Sequence, residues 1–488
     1  MEENQTSLKQ DVAGKKWMGL LPQALAVVVV TSLHLVIGQI IAYSGILIPQ
    51  MLQEQNVTAA NAIPITESDS AWIASAPVFA GLAASVLAGV LIDYLGRLKT
   101  IMLSGVSGVI GLLLIAVASN MSMIISGRIM MGITLMLIGN PTAVYISEIS
   151  RPDVRGSFLI FVQVFMSIGM VLTYLKGWVI HWRTIAWLTN VYLVVPIIII
   201  FFIPESPAWL VSKHKIKEAK KSLNWFYRYN TDCAKLVEEE LISLENEQLQ
   251  KLTEKKFNWK ELFEMFVLPT FYKPFFILAA IFFFQQFSGT FAIIYNCVIF
   301  FKEIGTNIDP YLASIYISGI KVIMSFVTTV LMKKFNRRTL LVISAGSMAL
   351  CMGVSGLNTY WIQHGTSTHT WIPLGCLLLY IAFSAMGITS VPFMIAVEMF
   401  PLKIRGVAYG LIITLMNLFT FAILQCYFPL YHLLGGSANL QYFFAVMSVA
   451  VMIIIYVFLP ETHKKRLIDI ENYFWKHTIF ITSRTDRT

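Results

Sequence analysis

The sequence predicts an all-α membrane protein: twelve transmembrane helices in two six-helix repeats. Three observations predict it. Only 13% of the 488 residues are charged and 57% are apolar, about half the charge that a soluble surface of this length needs. The apolar residues gather into stretches of about twenty, the length that crosses a ~30 Å hydrocarbon core as a helix, without the alternation of a membrane β-strand. The second half of the chain also repeats short polar signals of the first, in the same order.

Spans are expected near 22–48, 71–93, 100–119, 122–147, 157–180, 185–203, 272–300, 310–332, 339–359, 372–398, 407–432 and 440–459. They divide the chain into a cytosolic N-terminus (1–21), a first bundle (22–203), a cytosolic linker (204–271), a second bundle (272–460) and a cytosolic tail (461–488). An even number of spans puts both termini on one side. With that side inside, the inner segments hold 31 of the 36 Lys and Arg, the outer loops hold Lys176, Arg183 and Lys302, and Arg128 and Lys321 lie within spans. That asymmetry sets the orientation and explains the net charge of +9 without nucleic acid. The polar start of the chain is too long for a signal peptide. In the linker, Val237, Leu241 and Leu244 recur at helical spacing beside Glu238, Glu239, Glu240, Glu245 and Glu247, which predicts short amphipathic cytosolic helices. The first outer loop carries a sequon, Asn56-Val57-Thr58, making Asn56 the candidate glycan acceptor. Five cysteines (Cys233, Cys297, Cys351, Cys376 and Cys426) show no metal-ligand spacing and read as small buried hydrophobes.

The repeat is carried by matched motifs. Glu148 with Arg155-Gly156 follows the fourth span, and Glu398 with Arg405-Gly406 follows the tenth, 250 residues later at the same spacing. Asp93, Gly96, Arg97 and Lys99 follow the second span as Lys333, Asn336, Arg337 and Arg338 follow the eighth. Pro204-Glu205-Ser206 and Pro460-Glu461-Thr462 close the two halves. All lie at cytoplasmic helix ends, where acids and arginines can pair. Pairs there are expected to hold the two bundles together in one state and to release in another, so Asp93, Arg97, Glu148, Arg155, Glu205, Arg337, Arg338, Glu398, Arg405 and Glu461 are the predicted cytoplasmic gate.

At these residues the chain resembles the sugar porter family of the major facilitator superfamily. The matching motifs are Gly96-Arg97, Tyr145-x-x-Glu148 with Arg155-Gly156, Pro204-Glu-Ser-Pro207-x-Trp209-Leu210, Gln285-Gln286-x-Ser288-Gly289, Pro392 with Glu398, and Pro460-Glu-Thr. The resemblance covers about residues 20–472, and Ser70-Ala-Trp72-Ile73 is similar to insect facilitated trehalose and glucose transporters. It implies the major facilitator fold, with a sugar site between the halves near the bilayer midplane. The chain departs from the pattern at Ala143, Phe291, Asn336, Phe393, Met416 and Lys464, and Phe291 and Phe393 bear on sugar preference.

A neutral sugar is ringed by hydroxyls that both donate and accept, so carboxamides and aromatic faces suit it. Gln163 on the fifth span and Gln285 and Gln286 on the seventh fit that description and match sugar contacts of the family. Asn296, Asn417 and Thr420 are further candidates. Phe291, Phe393 and Trp187 are candidate aromatic walls. Of the charges inside spans, Arg128 matches a family arginine and is expected to tie helices together; Lys321 snorkels, meets a helix dipole or faces the cavity. His34 reads as a packed residue, and Gly81, Ser85 and Gly89 as a close-packing face.

The family's proton symporters carry a carboxylate on the first span, and Leu35–Ile41 contains none. The expected function is therefore facilitative transport of trehalose or a glucose-type hexose by alternating access. A proton-coupled symporter and a non-transporting sugar sensor are the alternatives. No nucleophile–base pair, metal cluster or phosphate loop points to an enzyme, and no cofactor is expected. The expected partners are a small sugar and the lipid bilayer of the cell membrane.

Overall fold

Twelve helices long and apolar enough to cross a bilayer follow one another in the computed structural model, which describes residues 18–57, 62–230, 232–253, 266–305, 308–366, 369–401, 404–462, 465 and 474. The first half holds Met18–Asn56, Glu67–Leu95, Arg97–Ala116, Met121–Ile149, Pro152–Val179 and Trp182–Ile200. The second holds Pro269–Tyr295, Pro310–Lys334, Arg337–Gln363, Trp371–Met399, Arg405–Leu434 and Ser437–Phe458. The halves meet where the second span packs on the eleventh, the fifth on the eighth and the first on the seventh.

Local chemistry explains where the spans depart from their expected limits. The second span starts at Glu67 because Thr66 caps it: its hydroxyl accepts from Asp69 N at 3.2 Å and its own N–H donates to the Asp69 carboxylate at 3.0 Å. The first span runs on to Asn56, so Asn56 is an exposed helix end rather than a loop residue, and Thr58 of its sequon lies outside the described residues. The seventh span breaks at Gly289, whose φ of +95° is left-handed and whose missing Cβ leaves room for the Phe444 ring. Beyond the break the chain continues as Thr290–Tyr295 and Cys297–Ile304.

Arg128 is fully buried and ties three spans, donating to Ile73 O at 2.8 Å, Ile40 O at 3.0 Å and Ser44 Oγ at 3.2 Å. These backbone and hydroxyl acceptors satisfy the guanidinium. The small-residue face of the second span has a different phase from the expected one. Gly81, Ala84 and Ala88 are buried, whereas Gly89 is exposed with nothing within 4 Å of an added Cβ. The helix buries a stripe of 3.6-residue period rather than every fourth residue.

The linker forms Pro207–Ser212, Ile216–Tyr227 and Cys233–Thr253. Ala219, Ser222, Leu223 and Phe226 form the buried face of the second of these, and Leu241 and Leu244 pack on Trp209 and Leu210. The five cysteines are free thiols.

Candidate functional site

The spans carry a belt of polar side chains at mid-depth. His34 and Gln39 sit near the middle of Met18–Asn56, Gln163 and Ser167 of Pro152–Val179, Lys321 of Pro310–Lys334, and Asn417 and Thr420 of Arg405–Leu434. Gln285 and Gln286 lie just before the break at Gly289, midway along the path from Pro269 to Ile304. The break is held by a small network. Tyr380 Oη donates to Ser288 O at 2.7 Å and lies 3.0 Å from Thr290 Oγ1, which is 3.2 Å from Ser384 Oγ. Neither Gly289 nor this network was singled out as functional from sequence, although both belong beside the Gln285-Gln286 motif. A discontinuous helix at mid-depth is the way such bundles place polar groups in a cavity.

Gln285 and Gln286 are 1% and 0% exposed, and among the described residues neither the oxygen nor the nitrogen of either amide has a hydrogen-bond partner. A buried polar group left unpaired costs about 1–3 kcal/mol, so four such atoms side by side are a structural liability unless something else pairs with them. Asn296 is similar in part: its Nδ2 donates to Ala292 O at 3.1 Å while its buried Oδ1 is unpaired. Gln163 is partly buried. Thr420 Oγ1 donates back to Met416 O at 3.0 Å, and Asn417 is half-buried beside it. Phe393 packs edge-on to Phe282 with centroids 5.5 Å apart, and Phe291 packs on the core. Trp187 is 52% exposed on the outer face of its span, so it is no wall of a buried site. Gln39 is a mid-depth amide that the sequence reading did not single out; its Oε1 accepts from Lys176 Nζ at 3.1 Å and Thr189 Oγ1 at 2.9 Å.

The repeated arginine–glutamate motifs form two equivalent clusters. In the first half Arg97 grips Glu148 with two bonds of 2.6 and 2.8 Å, and Glu205 accepts from the N–H groups of Arg97 and Leu98 at the start of the third span. Glu148 also accepts from Ser206 Oγ at 2.5 Å. In the second half Arg337 pairs with Glu398, Glu461 accepts from the N–H groups of Arg337 and Arg338, and Arg337 reaches Thr462 at 3.4 Å. Arg155 donates to Ser150 O and Arg405 to Phe400 O. Each of these bonds stays within one half. Both partners sit on neighbouring helix ends of the same bundle. Asp93 is exposed and takes part only through its carbonyl, which accepts from Trp209 Nε1 at 3.0 Å. Burial pushes the Glu205 carboxyl above the usual range, against the pull of the Ser206, Leu98 and Arg97 N–H groups and of the Arg97 guanidinium.

Apart from a mid-depth contact of Ser167 Oγ with Ser325 Oγ at 3.5 Å, the bonds that join the halves lie at the opposite end. Tyr174 Oη donates to Ile294 O at 2.8 Å, Trp178 Nε1 to Asp309 at 3.2 Å and Gln425 Nε2 to Ser75 Oγ at 2.9 Å, while His432 meets Glu67 at 2.9 Å. The first span is buried almost without interruption from His34 to Met51. At the other end, Gly156 and Gly406, at the starts of the fifth and eleventh spans, have nothing within 4 Å of an added Cβ. The bundle is thus drawn together on the side away from its arginine clusters. A cavity of about 460 Å³ on that closed side, lined by Gln50, Glu54, Trp178, His181 and Tyr311 among others, contains none of the predicted site residues.

Twelve spans in two like halves, with broken helices and unpaired amides at mid-depth, define a polytopic membrane protein of the major facilitator fold. The family model described as "Sugar (and other) transporter" matches residues 25–474, and the chain belongs to that family. It is 31% identical over 455 residues to the facilitated trehalose transporter Tret1 of Apis mellifera ligustica, covering 93% of this chain and 88% of the relative. It is 32% identical over 453 residues to Tret1-1 of Drosophila simulans, covering 92% of this chain but 51% of the relative, so the chain spans about half the length of that relative and of trehalose transporter 1 of Drosophila melanogaster. Among solved structures it is similar to the xylose transporter XylE from E. coli in an inward-open conformation, with a TM-score of 0.72 and 20% identity over 91% of this chain and 98% of the other. The proton:xylose symporter XylE bound to 6-bromo-6-deoxy-D-glucose gives a TM-score of 0.70, 20% identity, and coverage of 93% and 99%. At that identity the likeness shows the fold.

Proposed function

We propose that the chain is a facilitative sugar carrier of the cell membrane, with both termini cytoplasmic, working by alternating access between its two halves. The observation that carries this reading is the pair Gln285 and Gln286: four buried, unpaired amide atoms, both donors and acceptors, at mid-depth beside a helix break. A sugar hydroxyl both donates and accepts, so a sugar satisfies such a set where an apolar solute cannot. The relatives named as facilitated trehalose transporters support a sugar as cargo. The cytoplasmic clusters gate the carrier by fixing helix ends within each half, so that each half rocks as one body, while the bonds around Tyr174, Ser75 and His432 close the outer end. Leu35–Ile41 of the first span contains no carboxylate, which supports passive transport. Asn56, exposed at the end of the first span, is the proposed glycan acceptor.

The test is uptake of radiolabelled glucose and trehalose into oocytes at two external pH values, with Gln286→Ala alongside. Saturable uptake of either sugar, insensitive to pH and lost in the variant, is the expected result. Uptake that rises with external acidity and carries current would replace the passive reading with proton coupling. No uptake of either sugar, with the protein at the surface, would contradict a carrier of these sugars.

A further inference from the structure

Lys321 lies eleven residues after Pro310 and thirteen before Lys334, so it sits about 16 Å and about 20 Å along the helix from the two ends. That is too deep for the side chain to snorkel to either surface. It is 6% exposed, and among the described residues no side chain or carbonyl pairs with its ammonium. The acids of the spans stand toward helix ends: Asp93, Glu148 and Glu398 are cytoplasmic, and Glu303 lies beyond the break in the seventh span, bonded by Tyr427.

Its position on the helix fixes what it faces. Ser314, Ser318, Lys321, Ser325 and Thr328 share one face of the eighth span. Ser325 Oγ lies 3.5 Å from Ser167 Oγ of the fifth span, so this face looks across to the other half at mid-depth. Ser167 is one turn from Gln163 on its own helix. Thr328 donates to Ala385 O of the tenth span at 3.0 Å, which closes the face one turn further in. Lys321 therefore stands at the depth of Gln285 and Gln286, on the interface between the halves, without a counter-charge among the described residues.

A buried ammonium held without a protein partner leaves its counter-charge to come from the ligand. Resting on the sugar-carrier reading above, we propose that Lys321 makes this site prefer a sugar bearing one carboxylate, the amides holding the hydroxyls and the ammonium the anionic substituent. One ammonium balances a carboxylate, whereas a phosphate monoester brings a charge of about −1.5 to −2 and leaves the excess buried. Neutral sugars of the same ring size still enter, through the amides alone.

Glucose and glucuronate differ only in the group at C6, and they make the test. The full chain is purified, reconstituted into proteoliposomes, and assayed for uptake of each labelled compound at pH 7, with glucose 6-phosphate as a third arm. A charge-assisted hydrogen bond favours glucuronate over glucose by about ten- to a hundredfold in kcat/KM. Glucuronate uptake in the unaltered protein slows when a potassium diffusion potential makes the interior negative; glucose uptake does not respond. Lys321→Gln abolishes the preference, and Lys321→Arg, monodisperse like the wild type, keeps it. Glucose uptake with glucuronate excluded, and a ratio unmoved by Lys321→Gln, would overturn the proposal and leave the sugar-carrier reading intact. Preference for glucose 6-phosphate would overturn the carboxylate assignment. Transport of none of the three by folded protein would overturn both readings.

Discussion

The arginine–glutamate clusters at the helix ends and the mid-depth belt are both built of polar residues inside a membrane bundle, yet they treat those residues in opposite ways. Arg97, Glu148, Glu205 and Ser206 satisfy one another within the first half, as Arg337, Glu398, Glu461 and Thr462 do within the second. Among the described residues, the Gln285 and Gln286 amides have no partner. A paired network fixes helix ends, because an acid on one end holds an arginine or the N–H groups of the next. An open one is poised for a partner that arrives and leaves. The difference separates the part of the molecule that holds its shape from the part that meets cargo.

Substitutions sharpen this contrast. The largest effect on transport is expected from Gln286→Leu, which keeps the volume and removes two unpaired polar atoms. Uptake falls by about a hundredfold or more while thermal stability in detergent stays level or rises, since removing an unsatisfied buried group is neutral or favourable. A fall in stability would mean that the amide has a structural partner.

Gly289→Ala should act on both properties. The new Cβ would sit 2.5 Å from the Phe444 ring at a φ of +95°, and the strain is expected to cost about 1–3 kcal/mol. Differential scanning of the purified variant reads this directly, and an unchanged Tm would show that the break tolerates a side chain. Arg337→Ala opens a partly buried pair and is expected to cost about 1–3 kcal/mol, between the values for exposed and buried pairs. Arg97→Ala should cost as much, because the two clusters are built alike; a large inequality would break the equivalence of the halves.

The smallest effect concerns pH. Glu205 has a folded-state pKa raised above its ordinary value of 4.5 by burial. Its contribution to stability is therefore fully present below about 4.5 and is lost as pH rises through the folded value. Glu205→Gln removes this component, so the variant's stability should fall less than the wild type's over that window. An equal fall in both would place the pH dependence elsewhere.

The sequence made the spans legible because a twenty-residue apolar stretch has few other stable forms, and the repeat legible because Glu148/Glu398 and Arg155/Arg405 recur at one spacing. It did not reveal how those residues pair. An acid and an arginine at neighbouring helix ends satisfy a clamp between halves as well as a tie within one, and only packing decides. The phase of the second span's small-residue face was missed for a related reason: Gly89 continues a period of four, while the buried stripe follows 3.6 through Ala84 and Ala88. Trp187 was misplaced because an aromatic residue near a bundle is equally at home facing lipid. Gln285 and Gln286 were visible as motif residues, but that both amides are buried and unpaired follows from the helix break at Gly289, which no periodicity announces.

The most direct test is equilibrium binding of labelled glucose to the purified protein, comparing the wild type with the Gln285→Leu/Gln286→Leu double variant and with Arg97→Ala. Saturable binding that disappears in the double variant and persists in Arg97→Ala is the predicted result. Binding that survives the double variant, or that Arg97→Ala removes equally, would contradict the division between a satisfied scaffold and an unsatisfied site.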